Sequence, residues 1–258
     1  MGKFTLILTL SLRGRRVYTK LCGRLYLVFM DIRFAAALSA FLGALLSLCV
    51  SIIIEFQRKP KLSMKVEEPP TDVTYSNRPA NKARFLRVRL SNRAMPKFLR
   101  WLGRNAAIHC HGEIQFYHQN NGAPVFSKPM PIRWAGSDEP LSYQALPGGQ
   151  LAWIFDPSKF NAAFYRDCHA GSEEPIDVVA RFDSDTDCYG WTNENYLQNK
   201  GWRNADWKLP SGRFLVTITV HTSGEKVVDL FELENSVGIQ HFRLMNSTKE
   251  DRQKIHIK

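Results

Sequence analysis

The sequence is that of a mainly β protein, a single N-terminal transmembrane helix followed by an antiparallel β-sandwich, and three observations predict it. Residues 34–54, FAAALSAFLGALLSLCVSIII, run without a charge between Arg33 and Glu55. From Phe85 onward, short runs alternate apolar and polar residues with the period of a half-buried strand. Turn signals rich in Gly, Pro and Asn separate several of these runs.

The apolar run comes first. At about 1.5 Å per residue, a helix over it spans roughly 30 Å, the thickness of a bilayer's hydrocarbon core. A cleaved signal sequence has a shorter apolar stretch and a small-residue exit. Here Val50, Ile52, Ile53 and Ile54 fill the exit, so the sequence predicts a retained anchor and a lipid bilayer as first partner.

Charge is uneven along the chain. The net charge is +11, and residues 1–65 hold eleven Lys and Arg against Asp31 and Glu55. The excess thus sits beside the apolar run, where cations meet anionic headgroups, and the rest is nearly neutral. That distribution argues against a nucleic-acid partner. Seven basic residues precede the helix and four follow it, which favours an exported domain if the whole segment is present. A start at Met30 leaves only Arg33 ahead and reverses the preference. Cys110, Cys168 and Cys188 are an odd number in the soluble part, which suits a reducing compartment and leaves the cytoplasmic side preferred.

The expected organisation is a basic segment over 1–33, the membrane helix over 34–54, a linker over 55–82, a domain over 83–245 and a flexible tail over 246–258. The linker expectation rests on Lys, Glu and four prolines, Pro60, Pro69, Pro70 and Pro79. Within the domain, Leu86, Val88 and Leu90 alternate with Arg87, Arg89 and Ser91. Ile108, Cys110, Gly112, Ile114 and Phe116 then alternate with His109, His111, Glu113, Gln115 and Tyr117 up to Asn120-Asn121-Gly122. Further strands are predicted over 130–134, 150–155, 176–182, 214–220 and 227–233, and helical turns over 96–105 and 157–165. About eight short strands in roughly 165 residues fit one sandwich.

RFLRVRLSN with AAIHCHGEIQF, and LPSGRFLVTITVHTSG with VVDLFELEN, resemble the first and last strands of immunoglobulin-like sandwiches in membrane-anchored proteins. DCYGWTNENYLQNKGWRNADWKLP resembles an intervening part of such proteins. The resemblance implies an immunoglobulin-like fold and transfers no catalytic residue. The Cys-Trp-Cys pattern of antibody domains is absent.

Three constellations are candidates for function. Tyr189, Trp191, Tyr196, Trp202 and Trp207, interleaved with Asn193, Asn195, Asn199 and Asn204, suit a ligand or protein partner through flat rings and amides, or else cap the core. Nine Lys and Arg and no acid lie between Val73 and Gly112. Within that stretch Lys97, Phe98, Arg100, Trp101 and Arg104 have the character of a membrane-surface contact, or of a short helix packed on the sandwich. His109, His111 and Glu113 would project from one strand face as metal ligands, with Cys168 or His169 as a fourth, or simply face solvent. Asp183, Asp185, Asp187 and Glu194 have calcium-loop spacing, but Cys188 stands where the loop needs Gly. No phosphate loop, nucleophile elbow or Cys-x-x-Cys pair occurs, so no cofactor is expected. The expected function is a non-enzymatic, membrane-anchored interaction or sensing module. The alternative is a metal-binding domain or metal-dependent enzyme using His109, His111 and Glu113.

Overall fold

A computed structural model describes residues 34–74, 82–198 and 202–255; the expected basic segment over 1–33 lies outside them, as does Asn199. The chain divides into two compact units, Met1–Gln57 and Arg58–Lys258. The described part of the first belongs to one helix, α1, Phe34–Arg58, whose last residue opens the second unit; it has 25 residues and is long and apolar enough to cross a membrane. It runs four residues beyond the uncharged stretch because Glu55, Phe56, Gln57 and Arg58 tolerate a helix. Pro60 then disfavours helical geometry at Lys59.

The second unit is built from antiparallel sheets. In chain order its strands are β1 Leu62–Val66, β2 Thr71–Thr74, β3 Lys82–Asn92, β4 Ala107–His118, β5 Met130–Pro131, β6 Arg133–Trp134, β7 Leu141–Ala145 and β8 Leu151–Phe155. They continue with β9 Arg166–Cys168, β10 Glu173–Phe182, β11 Cys188–Gly190, β12 Lys208–Leu209, β13 Gly212–His221, β14 Lys226–Asn235 and β15 Phe242–Asn246. A seven-stranded sheet runs β1-β3-β10-β11-β12, with β2 also on β3 and β6 on β10. A six-stranded sheet runs β15-β14-β13-β4-β5, with β9 on β4. β7 and β8 form a separate hairpin.

Period-two alternation places one face of each sheet in a shared core. Leu86, Val88 and Leu90 of β3 and Ile176 of β10 meet Ile114 and Phe116 of β4, Val216 and Ile218 of β13, and Phe231 and Leu233 of β14. All ten are buried. A register shift between Asp177 and Val179 turns β10, so that Val178 and Val179 are both buried.

Three boundaries differ from expectation. The predicted linker over 55–82 contains β1 and β2, both paired with β3. Leu62, Met64 and Val66 alternate with Ser63 and Lys65 inside the charged stretch, and Met64 joins the core. The predicted flexible tail over 246–258 carries a helix, α3, Lys249–Lys254, started by a capping box between Thr248 and Asp251. It is tied back by Arg252 to Asp229 at 2.6 Å. The helical expectations shrink to a 3-10 turn, Lys97–Leu102, and to α2, Pro157–Ala162, which Asp156 caps.

Candidate functional site

The aromatic stretch folds inward. Tyr189, Trp191 and Tyr196 lie with Phe85, Ala180 and Phe182 in a second core on the other face of the seven-stranded sheet. Trp191 is 1% exposed and stands edge-on to Phe85, ring centroids 5.0 Å apart. Trp202 packs against this cluster beside Tyr196. Trp207 belongs to the main core, where its indole N–H donates to the Glu194 carboxylate at 3.0 Å. The amides serve the backbone: Asn195 Nδ2 donates to the carbonyls of Gly190 and Trp202, both at 3.1 Å. Burial pushes the Tyr196 phenol pKa up, against the pull of the Arg133 guanidinium. The rings therefore offer no exposed platform, which corrects the ligand-binding expectation for Tyr189, Trp191, Tyr196 and Trp207. Aromatic rings with amides have one composition whether they face a ligand or seal a sheet, so the sequence could not separate the two.

Two of the three aspartates of the acidic loop are neutralised internally. Asp185 pairs with Arg203 at 2.5 Å and Asp187 with Lys208 at 2.7 Å.

His109, His111 and Glu113 do not converge. His109 adopts φ 52, and the β4–β9 register shifts between Ala107 and Cys110. This bulge breaks the expected alternation and leaves Ile108 44% exposed. The His109 N–H donates to the Asp167 carboxylate at 2.8 Å. The His111 ring instead stacks on His221 at 5.5 Å. Among the described residues no three His, Cys, Asp or Glu side chains lie where they could share a metal ion.

The basic segment is the one that presents itself. Pro96 opens the 3-10 turn and Gly103, at φ 63, closes it. The Leu99 N–H donates to the Pro96 carbonyl at 2.9 Å, and Gly103 N–H to the Arg100 carbonyl at 3.3 Å. With three residues per turn, Phe98 and Trp101 eclipse on one face. Each is 78% exposed, and no residue of the turn is buried. The two rings therefore do not pack on the domain, while Leu99 and Leu102, also three apart, are half-buried. Lys97 and Arg100 are exposed beside the two rings. Arg104 has a different job: its Nη1 donates to the Lys59 carbonyl at 2.6 Å and its Nη2 to the Met95 sulfur at 3.2 Å. It is a positioning residue more than a surface contact.

A residue without any signal in the sequence completes this end of the unit. Asn92, fully buried at the end of β3, accepts from the Lys61 N–H at 3.1 Å. Its Nδ2 donates to the carbonyls of Asn105 at 3.0 Å and Cys168 at 3.1 Å. The loop that follows the aromatic turn is thereby tied to the end of β3 and to Lys61, just before β1.

No family model matches the chain, and no curated protein matches it. Among solved structures, a family 123 glycoside hydrolase from Clostridium perfringens, studied for glycolipid glycan hydrolysis, aligns at 9% identity and TM-score 0.30. The alignment covers 67% of this chain and 26% of the enzyme, so the chain spans about a quarter of that protein's length. A likeness this low carries no inference about chemistry.

Proposed function

We propose that this chain is a membrane-anchored, non-enzymatic interaction or sensing module. Its immunoglobulin-like sandwich rests on the bilayer surface through Phe98 and Trp101. The observation that carries the proposal is the pair itself: two rings, each 78% exposed, share one face of the 3-10 turn Lys97–Leu102, each directly preceded by a cation, Lys97 or Arg100. Burying such a side chain in an apolar environment is worth about 1.5–3 kcal/mol, and each cation at an anionic surface adds about 1 kcal/mol. The unit starts at the end of α1, so an anchored helix keeps the rings at high local concentration near lipid, where weak contacts suffice.

The cytoplasmic leaflet is the proposed surface, because it carries the anionic lipid. Cys49, Cys110, Cys168 and Cys188 are all free thiols, which suits that compartment. With the Trp191 region sealed, a protein partner would engage a sheet edge.

The test is amide hydrogen exchange on the full chain in lipid nanodiscs. Residues 96–106 are expected to exchange more slowly in nanodiscs containing anionic lipid than in zwitterionic ones. A Phe98→Ser/Trp101→Ser double variant should lose the difference. Equal exchange in both lipids, in wild type and variant alike, would sink the proposal.

A further inference from the structure

The outer face of the six-stranded sheet carries a groove that bilayer contact leaves unused. Its floor is five polar side chains from paired strands, Glu113, Gln115 and Tyr117 of β4 with Thr217 and Thr219 of β13. Glu113 stands opposite Thr219, and Gln115 opposite Thr217. Residues 124–129 form the wall, fixed by the Val125 N–H on the Phe116 carbonyl at 2.8 Å. Gln115 Nε2 also holds this wall, donating to the Phe126 carbonyl at 3.1 Å. The groove encloses about 340 Å³, the lower end of the ~300–1,000 Å³ range of small-molecule sites.

Its floor is under-satisfied. Thr217 is 8% exposed, and among the described residues no donor or acceptor meets its Oγ1 at good hydrogen-bond geometry; the Tyr117 phenol is a weak neighbour that a better-placed ligand hydroxyl would replace. Glu113, exposed to water at the edge of the groove, makes no ion pair among the described residues and so is free to accept from a ligand. A buried hydroxyl left unpaired is costly and so marks a place where a partner belongs. The donor inventory then fixes the partner's class. The Glu113 carboxylate and the Gln115 carbonyl oxygen only accept, while three hydroxyls accept or donate. Among the described residues no cationic side chain lines the groove: Lys128 belongs to the wall segment but holds its ammonium over the Trp207 ring at 5.4 Å, so an anion has nothing to pair with. A polyamine would find one carboxylate and four neutral groups. A ligand with several O–H donors satisfies the whole floor.

We infer that this groove is a binding site for an uncharged saccharide, with Glu113 and the Thr217 hydroxyl accepting and sharing its O–H groups and the 124–129 wall covering its C–H face. The site is independent of the bilayer contact and lies on a different surface element.

The experiment is saturation-transfer NMR on the full chain in nanodiscs free of glycoside detergent. The probes are the methyl glycosides of glucose, galactose, mannose and N-acetylglucosamine, with spermidine as the cationic comparison. At least one glycoside is expected to receive saturation. Its affinity should fall at least tenfold in both Glu113→Gln and Thr217→Val, and stay unchanged in Asp138→Asn, a substitution at an exposed position away from the groove. Thr217→Val is near-isosteric and removes an unpaired buried hydroxyl, so a thermal midpoint that does not fall separates lost binding from lost folding. Transfer to no glycoside, transfer insensitive to both groove variants, or transfer to spermidine alone would each overturn the assignment.

Discussion

The Asn92 side-chain amide donates to the Asn105 carbonyl at 3.0 Å, joining the end of a core strand to the loop that follows the exposed aromatic turn. The same amide reaches Cys168, and its oxygen takes the Lys61 N–H. One buried side chain therefore fixes three segments that are distant in sequence. Asn92→Ala leaves three backbone groups without their partner, and an expected cost of about 2–4 kcal/mol follows from the penalty for unpaired buried polar groups. Chemical denaturation with an unchanged m-value checks it. Asn92→Asp should also destabilise, because a carboxylate cannot donate to the two carbonyls.

A second buried network lies on the other face of the seven-stranded sheet. Asp177 is fully buried and receives Arg133 Nη1 at 2.6 Å and Arg87 Nε at 2.7 Å. Arg133, also buried, spends its Nε on the Asn193 carbonyl oxygen at 2.9 Å. Removing the carboxylate leaves Arg133 without its counter-charge, and breaking such a pair costs about 3–5 kcal/mol. Asp177→Asn should therefore lower the denaturation midpoint far more than Asp72→Asn, which loses only a half-exposed pair with Arg84.

The thiols of the β unit should be inert while it is folded. Burial pushes the Cys110 thiol up to about 11, and raises Cys168 and Cys188 as well. All three side chains are buried, and the thiolate is the reactive form. Native protein at pH 8 is expected to react with an aromatic disulfide reagent at none of the three positions within minutes. In denaturant all three should react. Rapid native labelling at any of them would contradict the packing.

Acid should loosen the edge of the six-stranded sheet. The Glu234 carboxyl is held below the ordinary glutamate value of 4.5, chiefly by the hydrogen bond from Arg243 at 2.8 Å, with burial opposing. A carboxyl with a depressed folded pKa contributes stability that is complete above its unfolded pKa and is lost as pH falls through the folded one. The β14–β15 contact should therefore weaken below about pH 4.5. Glu234→Gln should flatten that part of the stability profile.

Much of this architecture was legible because alternation reports burial directly. Leu86, Val88 and Leu90, and likewise Val216 and Ile218, face the core as their spacing requires. β9, β11 and β12 are two or three residues long, too short to show a period. β1 was hidden by neighbouring prolines and charges, although Leu62, Met64 and Val66 carried its signal. The T-x-x-D box at Thr248 was equally readable and announces α3. Other features belong to tertiary structure alone. The φ of 52 at His109 exposes Ile108 against its pattern, and nothing local marks Asn92 as a clamp. For the candidate surface, composition pointed to residues 97–104. Only the fold shows Phe98 and Trp101 outward and Arg104 tied to Lys59.

The most direct measurement is fluorescence quenching by lipids brominated near the headgroup end of the acyl chain, using the full chain and Trp101→Phe in nanodiscs. The substitution removes one of six tryptophans, so the difference between the two proteins isolates the exposed Trp101 ring from the other five. Because that ring is surface-exposed, the variant should change stability by no more than about 0.5 kcal/mol. Bilayer contact requires the Trp101 component to be strongly quenched by brominated lipid and shielded from aqueous iodide. A Trp101 emission untouched by bromine and fully quenched by iodide would place the turn in water and contradict the account.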